Sequence, residues 1–149
     1  PDAFCSELRH KRLGLVFQNF NLIDGLSVYE NLLAPFALTN FKANVRDEMI
    51  KKALSLANIA HKKDENVSNL SGGERQRCAV ARALSMDANI ILADEPTANL
   101  DRQNARAFLG LLESFKALKK SVIVATHDSI FDELSATDRV VSLQNGEIV

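Results

Sequence analysis

Hydrophobic residues along this chain occur in two patterns, short continuous runs and longer spaced stripes. Continuous apolar runs at residues 13–17, 90–93 and 121–125 are short enough to be buried strands. Apolar positions at helical spacing predict four longer helices, which begin at the capping residues Ser27, Asn44, Ser71 and Asp101. Strands that alternate with helices are typical of a parallel sheet, so the pattern predicts an α/β fold.

Short-range polar patterns predict where these elements begin and end. Ser27 with Glu30, and Ser71 with Glu74, form the Ser-x-x-Glu capping box that satisfies N–H groups at a helix start. Pro35 is expected to end or bend the first helix, because proline cannot donate a helical hydrogen bond.

The character of the chain changes after Gln18, from a buried-strand run to amphipathic helical spacing. We therefore predict two subdomains, an α/β core from residues 1–18 and 86–149 and a helical subdomain from residues 19–85. Near the C-terminal end, Asn145-Gly146 is a strong hairpin pattern, flanked by candidate strands at residues 139–143 and 147–149.

Composition excludes several classes of protein. The 149 residues carry 18 Lys and Arg against 19 Asp and Glu, a net charge of −1, which argues against a nucleic-acid partner. No apolar run approaches the ~18–20 residues of a membrane span, and residues 1–5 do not resemble a signal peptide. Cys5 and Cys78 are too few for a disulfide scaffold. We expect a reduced, soluble, cytosolic chain.

Polar side chains follow the three predicted strands. Asp94 and Glu95 end the second strand, His127 follows the third, and Gln18 follows the first. Polar chemistry in open α/β sheets lies outside the carboxyl ends of the strands. A carboxylate there can hold Mg²⁺ while its neighbour orients a nucleophilic water. The alternative for these segments alone is a solvated acidic turn and a structural histidine.

Two glycines stand in the first turn of the helix that begins at Ser71. Glycine costs a helix roughly 1 kcal/mol relative to alanine, so its presence calls for a reason. Without Cβ atoms, Gly72 and Gly73 would let backbone N–H groups at the positive helix end touch an anion. A phosphate contact is the functional interpretation, and a glycine-rich helix start without a ligand is the alternative.

Together these pieces resemble the ATP-binding-cassette (ABC) ATPase domain. In chain order they match the Q-loop at Gln18, the signature at residues 70–74, Walker B with its following glutamate at residues 90–95, the D-loop at residues 99–101 and the H-loop at residues 126–128. The run LSGGERQR is highly specific. Residues 13–38 are further similar to the lipoprotein-releasing and macrolide-export subgroup. The resemblance extends from about Ser6 to Val149.

The resemblance implies a P-loop-NTPase-like parallel sheet with a helical insertion that carries the signature. It also implies that the full domain binds ATP and Mg²⁺ and hydrolyses ATP. By position, Gln18 and Asp94 would bind Mg²⁺, Glu95 would polarise the attacking water, and His127 would hold the γ-phosphate.

The resemblance further implies partners. Two such domains would form a head-to-tail dimer in which Ser71, Gly72, Gly73 and Glu74 contact the nucleotide held by the partner, while Asp101 lies at the dimer seam. A transmembrane permease would bind the helical subdomain. The protein would then be cytoplasmic and peripheral on the inner face of the cell membrane.

One departure from the family changes the expectation. The phosphate-binding loop of the family, Gly-x-x-x-x-Gly-Lys-Ser/Thr, has no counterpart here, because the chain contains no Gly-Lys pair. We expect the Walker A strand and loop to be missing and the chain alone to be inactive. We also expect the 139–149 hairpin to be displaced from the main sheet, poorly ordered or paired with another chain. A nucleotide-incompetent interaction module is an alternative. A non-transport ABC ATPase is another, although Gln18 and Ser71 are too close in sequence for a long coiled-coil insertion.

Overall fold

A parallel sheet organises the part of the chain that the structure, a computed structural model, describes, residues 12–149. Its strands, in spatial order, are β1 (Leu13–Val16), β2 (Ile90–Asp94) and β3 (Ser121–Ala125). Both strand pairs are parallel, and β2 lies between its two partners. The three predicted strands are confirmed. Residues 1–11 of the predicted core, including Cys5, lie outside the described residues.

Within the described residues, four α-helices follow the predicted apolar stripes. They are α1 (Val28–Leu33), α2 (Ala43–Leu56), α3 (Gly72–Leu84) and α4 (Arg102–Ala117). Short 3-10 helices lie at Ala34–Leu38, Ala60–Lys62, Val67–Asn69 and Ser129–Glu133. Both predicted capping boxes form, at Ser27 and Ser71, and Asp101 caps α4 as predicted. Helix α1 ends before Pro35, which enters the first 3-10 helix.

The predicted cap of α2 at Asn44 is wrong. The N-cap is Lys42, whose side chain makes no capping hydrogen bond, and Asn44 lies inside the first turn. No side chain therefore fixes this end of the helix. Its position follows instead from the buried face of α2, formed by Ile50, Ala53 and Leu54.

The predicted hairpin forms, but with shorter strands than the apolar runs suggested. Strands β4 (Leu143–Gln144) and β5 (Glu147–Ile148) pair antiparallel around Asn145 and Gly146, which have φ angles of +53° and +84°. These left-handed angles suit a two-residue hairpin turn. The hairpin makes its own two-stranded sheet, so its predicted displacement from the main sheet is confirmed. All four of its strand residues are exposed, and one further hydrogen bond joins the Val149 N–H to the carbonyl oxygen of Ser142 at 3.1 Å.

Helix α3 packs directly on the sheet. A Cβ at Gly14 of β1 would lie 2.5 Å from the carbonyl oxygen of Ala83, so only glycine permits this approach. Val16, Val80 and Ile91 belong to one hydrophobic core that is continuous from the helices to the sheet. The packing fixes α3 relative to the strand ends. The division into two subdomains at residues 18 and 86 stays a prediction.

None of the helices within residues 12–149 combines the length and the apolar character that crossing a lipid bilayer requires.

Candidate active site

The carboxyl ends of β1, β2 and β3 lie at one edge of the parallel sheet, and the predicted catalytic and metal-binding side chains follow them. Asp94 is the last residue of β2, Glu95 comes next, and His127 lies two residues beyond β3. Gln18 lies two residues beyond β1, which pairs with β2. In such sheets this edge is where ligands bind.

Glu95 has an unusual backbone conformation. Its φ angle of +42° lies in the left-handed region, which a non-glycine residue rarely adopts. The surrounding structure holds it there, because the N–H of Glu95 donates a 2.8 Å hydrogen bond to the carbonyl oxygen of Ala125 in β3. Left-handed residues of this kind cluster at functional sites. The bend directs the side chain of Glu95 toward the residues that follow β3.

The carboxylate of Glu95 contacts His127 and Thr126. Oε1 lies 2.7 Å from His127 Nδ1 and accepts a 3.2 Å hydrogen bond from the His127 backbone N–H, while Oε2 accepts a 2.9 Å bond from Thr126 Oγ1. The carboxylate can only accept, so His127 carries a proton on Nδ1. The Glu95 carboxylate raises the pKa of His127, and the hydrogen bond from His127 lowers the pKa of Glu95.

A second set of hydrogen bonds supports this pair. Asp128 accepts a 2.7 Å bond from the hydroxyl of buried Thr97 and donates its backbone N–H to Thr126 Oγ1 at 3.0 Å. The bond from Thr97 lowers the pKa of Asp128. Sequence reasoning placed Thr126 in the H-loop but assigned no role to Thr97 or Thr126. Asp128 could have been found from the sequence, because aspartate is a common capping residue and Asp128 caps the 3-10 helix at Ser129–Glu133.

Gln18 and Asp94 are the predicted magnesium ligands. Both residues are exposed, and neither side chain makes a hydrogen bond or ion pair within the described residues. Amide and carboxylate oxygens suit Mg²⁺, which usually takes one or two protein ligands and completes its shell with water and phosphate. Residues 12–149 contain no cluster of three or more His, Cys, Asp or Glu side chains that could enclose a metal. The two donors therefore fit a magnesium ion shared with a phosphate ligand.

The predicted phosphate-contact segment lies at the start of α3. Ser71 and Glu74 cap it reciprocally: Glu74 Oε2 accepts from the Ser71 backbone N–H at 2.8 Å, which lowers the pKa of Glu74. A Cβ at Gly73 would lie 2.1 Å from Asn104 Oδ1, so this glycine permits close packing against α4. Asn104 in turn donates to Asp101 Oδ2 at 2.7 Å.

The predicted site residues therefore fall into two groups in the structure. Asp101 lies with the signature segment, whereas Glu95 and His127 form their own cluster at the sheet edge. In the part of the chain that the structure describes, no hydrogen bond or ion pair joins Ser71 or Glu74 to Glu95 or His127.

Comparison with known proteins gives the family. A family model described as ABC transporter matches residues 4–98. The chain belongs to the ABC transporter family. The resemblance inferred from the sequence motifs is confirmed.

Curated relatives extend this ABC match to almost the whole chain. It is 36% identical over 144 residues to the bacitracin export ATP-binding protein BceA of Halalkalibacterium halodurans, covering 96% of this chain and 56% of that protein. It is 35% identical over 144 residues to the macrolide export ATP-binding/permease protein MacB of Campylobacter jejuni subsp. jejuni, covering 97% of this chain and 22% of that protein. The second match fits the predicted subgroup. The chain thus spans only part of the length of these relatives.

Solved structures confirm the fold. The dimeric ATP-binding cassette MJ0796, in a post-hydrolysis state bound to ADP and Pi, superposes with a TM-score of 0.82 at 32% identity. That match covers 99% of this chain and 65% of the other. CbiO1 from Clostridium perfringens, part of an ABC transporter complex, gives a TM-score of 0.78 at 31% identity, covering 86% and 51% of the two chains. The predicted P-loop-NTPase-like α/β fold is therefore correct.

Proposed function

We propose that this ABC chain is the part of a transporter ATPase that supplies the catalytic carboxylate, the H-loop histidine and the signature. The observation that carries the proposal is the 2.7 Å contact between Glu95 and His127 at the carboxyl edge of the sheet. Membership of a family of ATP-binding transporter subunits supports it.

Glu95 is the proposed general base. Its lowered pKa keeps the carboxylate ionised at neutral pH, as a proton acceptor requires. Three hydrogen bonds from Thr126 and His127 occupy most of the roughly four acceptor positions of the carboxylate and leave room for one water. The carboxylate can therefore orient a water for attack on a phosphate without moving from its present position.

His127 is the proposed phosphate contact. Its raised pKa favours the doubly protonated ring, so Nε2 can donate to a phosphate oxygen while Nδ1 remains on Glu95. Asp94 and Gln18 would hold Mg²⁺, which neutralises developing charge on the phosphates when bound. This division of roles relies on positioning and charge, which is what phosphoryl transfer requires.

The signature segment provides the proposed contact between two ATPase domains. Ser71, Gly72, Gly73 and Glu74 would contact a nucleotide held by a second domain, and Asp101 would lie at the seam between them. The dimeric state of the related cassette MJ0796 supports this arrangement. A transmembrane permease is the proposed further partner, which would place the protein at the inner face of the membrane.

The test compares variants of the full-length gene product that contains this chain. Glu95→Gln should lower ATP turnover by about 100-fold or more and leave ATP binding unchanged, because an amide keeps the shape but cannot accept a proton. Glu113→Gln, which affects an exposed carboxylate that accepts a hydrogen bond from Ser135, is the matched control. Turnover in Glu95→Gln equal to that of the control would remove Glu95 from the base role. A full-length protein that binds no ATP would favour the interaction-module alternative.

A further inference from the structure

The segment that follows Gln18 is held in an unfavourable backbone conformation. Phe20 and Asn21 have φ angles of +61° and +46°, and neither is glycine. Consecutive left-handed residues persist only where the surrounding structure stabilises them. The turn has two backbone hydrogen bonds of its own, from Phe20 N–H to Phe17 O at 3.0 Å and from Asn21 N–H to Asn19 O at 2.6 Å. Side chains from elsewhere in the fold supply the remaining contacts.

Arg82, in the last turn of α3, holds this segment from one side. Its guanidinium donates to the carbonyl oxygen of Phe20 at 2.8 Å and also to that of Asn21. Burial lowers the pKa of Arg82, and among the described residues the guanidinium has no carboxylate partner. A partly buried charge needs hydrogen-bonding partners, so the two carbonyls are the groups that compensate it.

Asn99 holds the other end of the same segment. This residue lies in the turn between β2 and α4, and its Nδ2 donates a 2.9 Å hydrogen bond to the carbonyl oxygen of Gln18. Side chains from two elements thus hold three of the four carbonyls between Gln18 and Asn21. The segment cannot adopt another path without losing at least one of these contacts.

We propose that Arg82 is a positioning residue that fixes Gln18 in place for binding of the magnesium ion. The role given to Gln18 rests on the proposed ATPase function. The contact between Arg82 and the segment after Gln18 does not depend on that function. Arg82 and the signature residue Ser71 lie at opposite ends of one helix, α3, which packs tightly on β1 at Gly14. The position of Gln18 is thereby tied to the position of the signature.

The first arm of the test is hydrogen exchange on the 149-residue chain. Arg82→Met should speed exchange of the Phe20 and Asn21 amides by about tenfold or more and leave the β2–β3 amides unchanged, because only the local turn loses its support. Arg82→Lys keeps one donor and should give an intermediate rate. Arg106→Met is the control, since Arg106 pairs with Glu133 on the surface. Unchanged exchange at Phe20 and Asn21 in the lysine variant, with the sheet intact, overturns the proposal even if the methionine variant does not fold.

The second arm measures the metal requirement of the full-length ATPase. Arg82→Met should raise the Mg²⁺ concentration for half-maximal turnover about 10-fold, with the KM for ATP at saturating Mg²⁺ unchanged. Because Arg82 acts through Gln18, the double variant with Gln18→Ala should show no further increase. Additive effects would overturn the positioning role. A wild-type protein without ATP turnover would contradict the proposed function, while the exchange arm would still decide whether Arg82 holds the segment.

Discussion

Glu95 combines an unfavourable backbone angle with hydrogen bonds at both its backbone N–H and its carboxylate. The left-handed conformation costs on the order of 1–3 kcal/mol, and such a conformation persists only where neighbours hold it in place. Its N–H donates to the carbonyl oxygen of Ala125. Its carboxylate accepts hydrogen bonds from the hydroxyl of Thr126 and from two nitrogens of His127. Its neighbours therefore hold the carboxylate in one position, which is the preorganisation that the proposed base role requires.

The contact between Glu95 and His127 predicts a pH dependence. In Glu95→Gln the pKa of His127 should fall back toward its ordinary value of 6.5, because the carboxylate that raises it is gone. The stabilisation from His127 is fully present below pH 6.5 and is lost as the pH rises through the raised pKa. The stabilisation from Glu95 is present above 4.5 and is lost as the pH falls through its lowered pKa. Glu95 and His127 are therefore both charged between the lowered pKa of Glu95 and the raised pKa of His127.

An NMR titration of the His127 ring measures this directly. The side chain of His127 is 87% exposed, so the pair adds little to the stability of the fold and a spectroscopic signal is the better measurement. Glu133→Gln, which affects a carboxylate paired with Arg102 and Arg106, is the control. An identical His127 pKa in wild type and Glu95→Gln would contradict the prediction.

At the scale of elements, the contact between β1 and α3 depends on the absence of a side chain at Gly14. Gly14→Ala would place a Cβ 2.5 Å from Ala83 O and 2.7 Å from Ile91 Cδ1, and the first of these atoms is backbone that cannot rotate away. Overpacking of this kind typically costs 1–3 kcal/mol. We expect Gly14→Ala to lower the free energy of unfolding by about that amount.

Gly110 offers the matched control for this substitution. It lies inside α4, and a Cβ there would meet no heavy atom within 4 Å. Gly110→Ala should raise the free energy of unfolding by about 0.5–1 kcal/mol, because alanine loses less backbone entropy in a helix. Urea unfolding of the two variants beside wild type gives both values. Equal effects of the two substitutions would show that Gly14 does not lie in the close contact described.

Elements whose ends are fixed by local hydrogen bonds could be predicted from the sequence. The caps at Ser27, Ser71 and Asp101 each join a residue to one three positions later, so the pattern is visible within a few letters. The start of α2 could not be predicted, because it has no such bond and depends on packing.

The same distinction applies to the site. The strand-end position of Glu95 and His127 follows from apolar runs and their order, and the structure brings the two into contact. The bonds from Thr97 to Asp128 and from Arg82 to Phe20 join residues far apart in sequence. Such pairs depend on how elements pack, and no local pattern reveals them.

At the scale of the whole molecule, the sequence lacks the loop with which P-loop ATPases bind phosphate. The nucleotide affinity of P-loop ATPases depends on the backbone of the Gly-x-x-x-x-Gly-Lys loop and on its lysine, and this sequence contains no Gly-Lys pair. The helix end at Ser71 favours an anion by typically ~0.3–1 kcal/mol at an exposed site. Asp94 and Glu95 would repel a phosphate that has no bound cation.

The 149-residue chain should therefore not bind ATP measurably. A micromolar complex requires about 8 kcal/mol, far more than one or several helix-end contacts provide. Isothermal titration of the chain with Mg-ATP is the measurement, with the related ATP-binding cassette MJ0796 as the positive control. A micromolar dissociation constant for the chain alone would mean that the binding energy resides elsewhere than in the phosphate loop.

Helix α3 carries a residue that makes its attachment to the sheet measurable. Cys78 lies between Ser71 and Arg82, one helical turn before Arg82, is fully buried, and has its pKa raised to about 12 by burial. A protonated and inaccessible thiol reacts with alkylating reagents only when the helix separates from its neighbours. With Cys5 replaced by serine, the rate of alkylation at Cys78 would report how often α3 leaves the core. The alkylation rate of Cys78 therefore measures how often the helix that joins the signature to Gln18 opens.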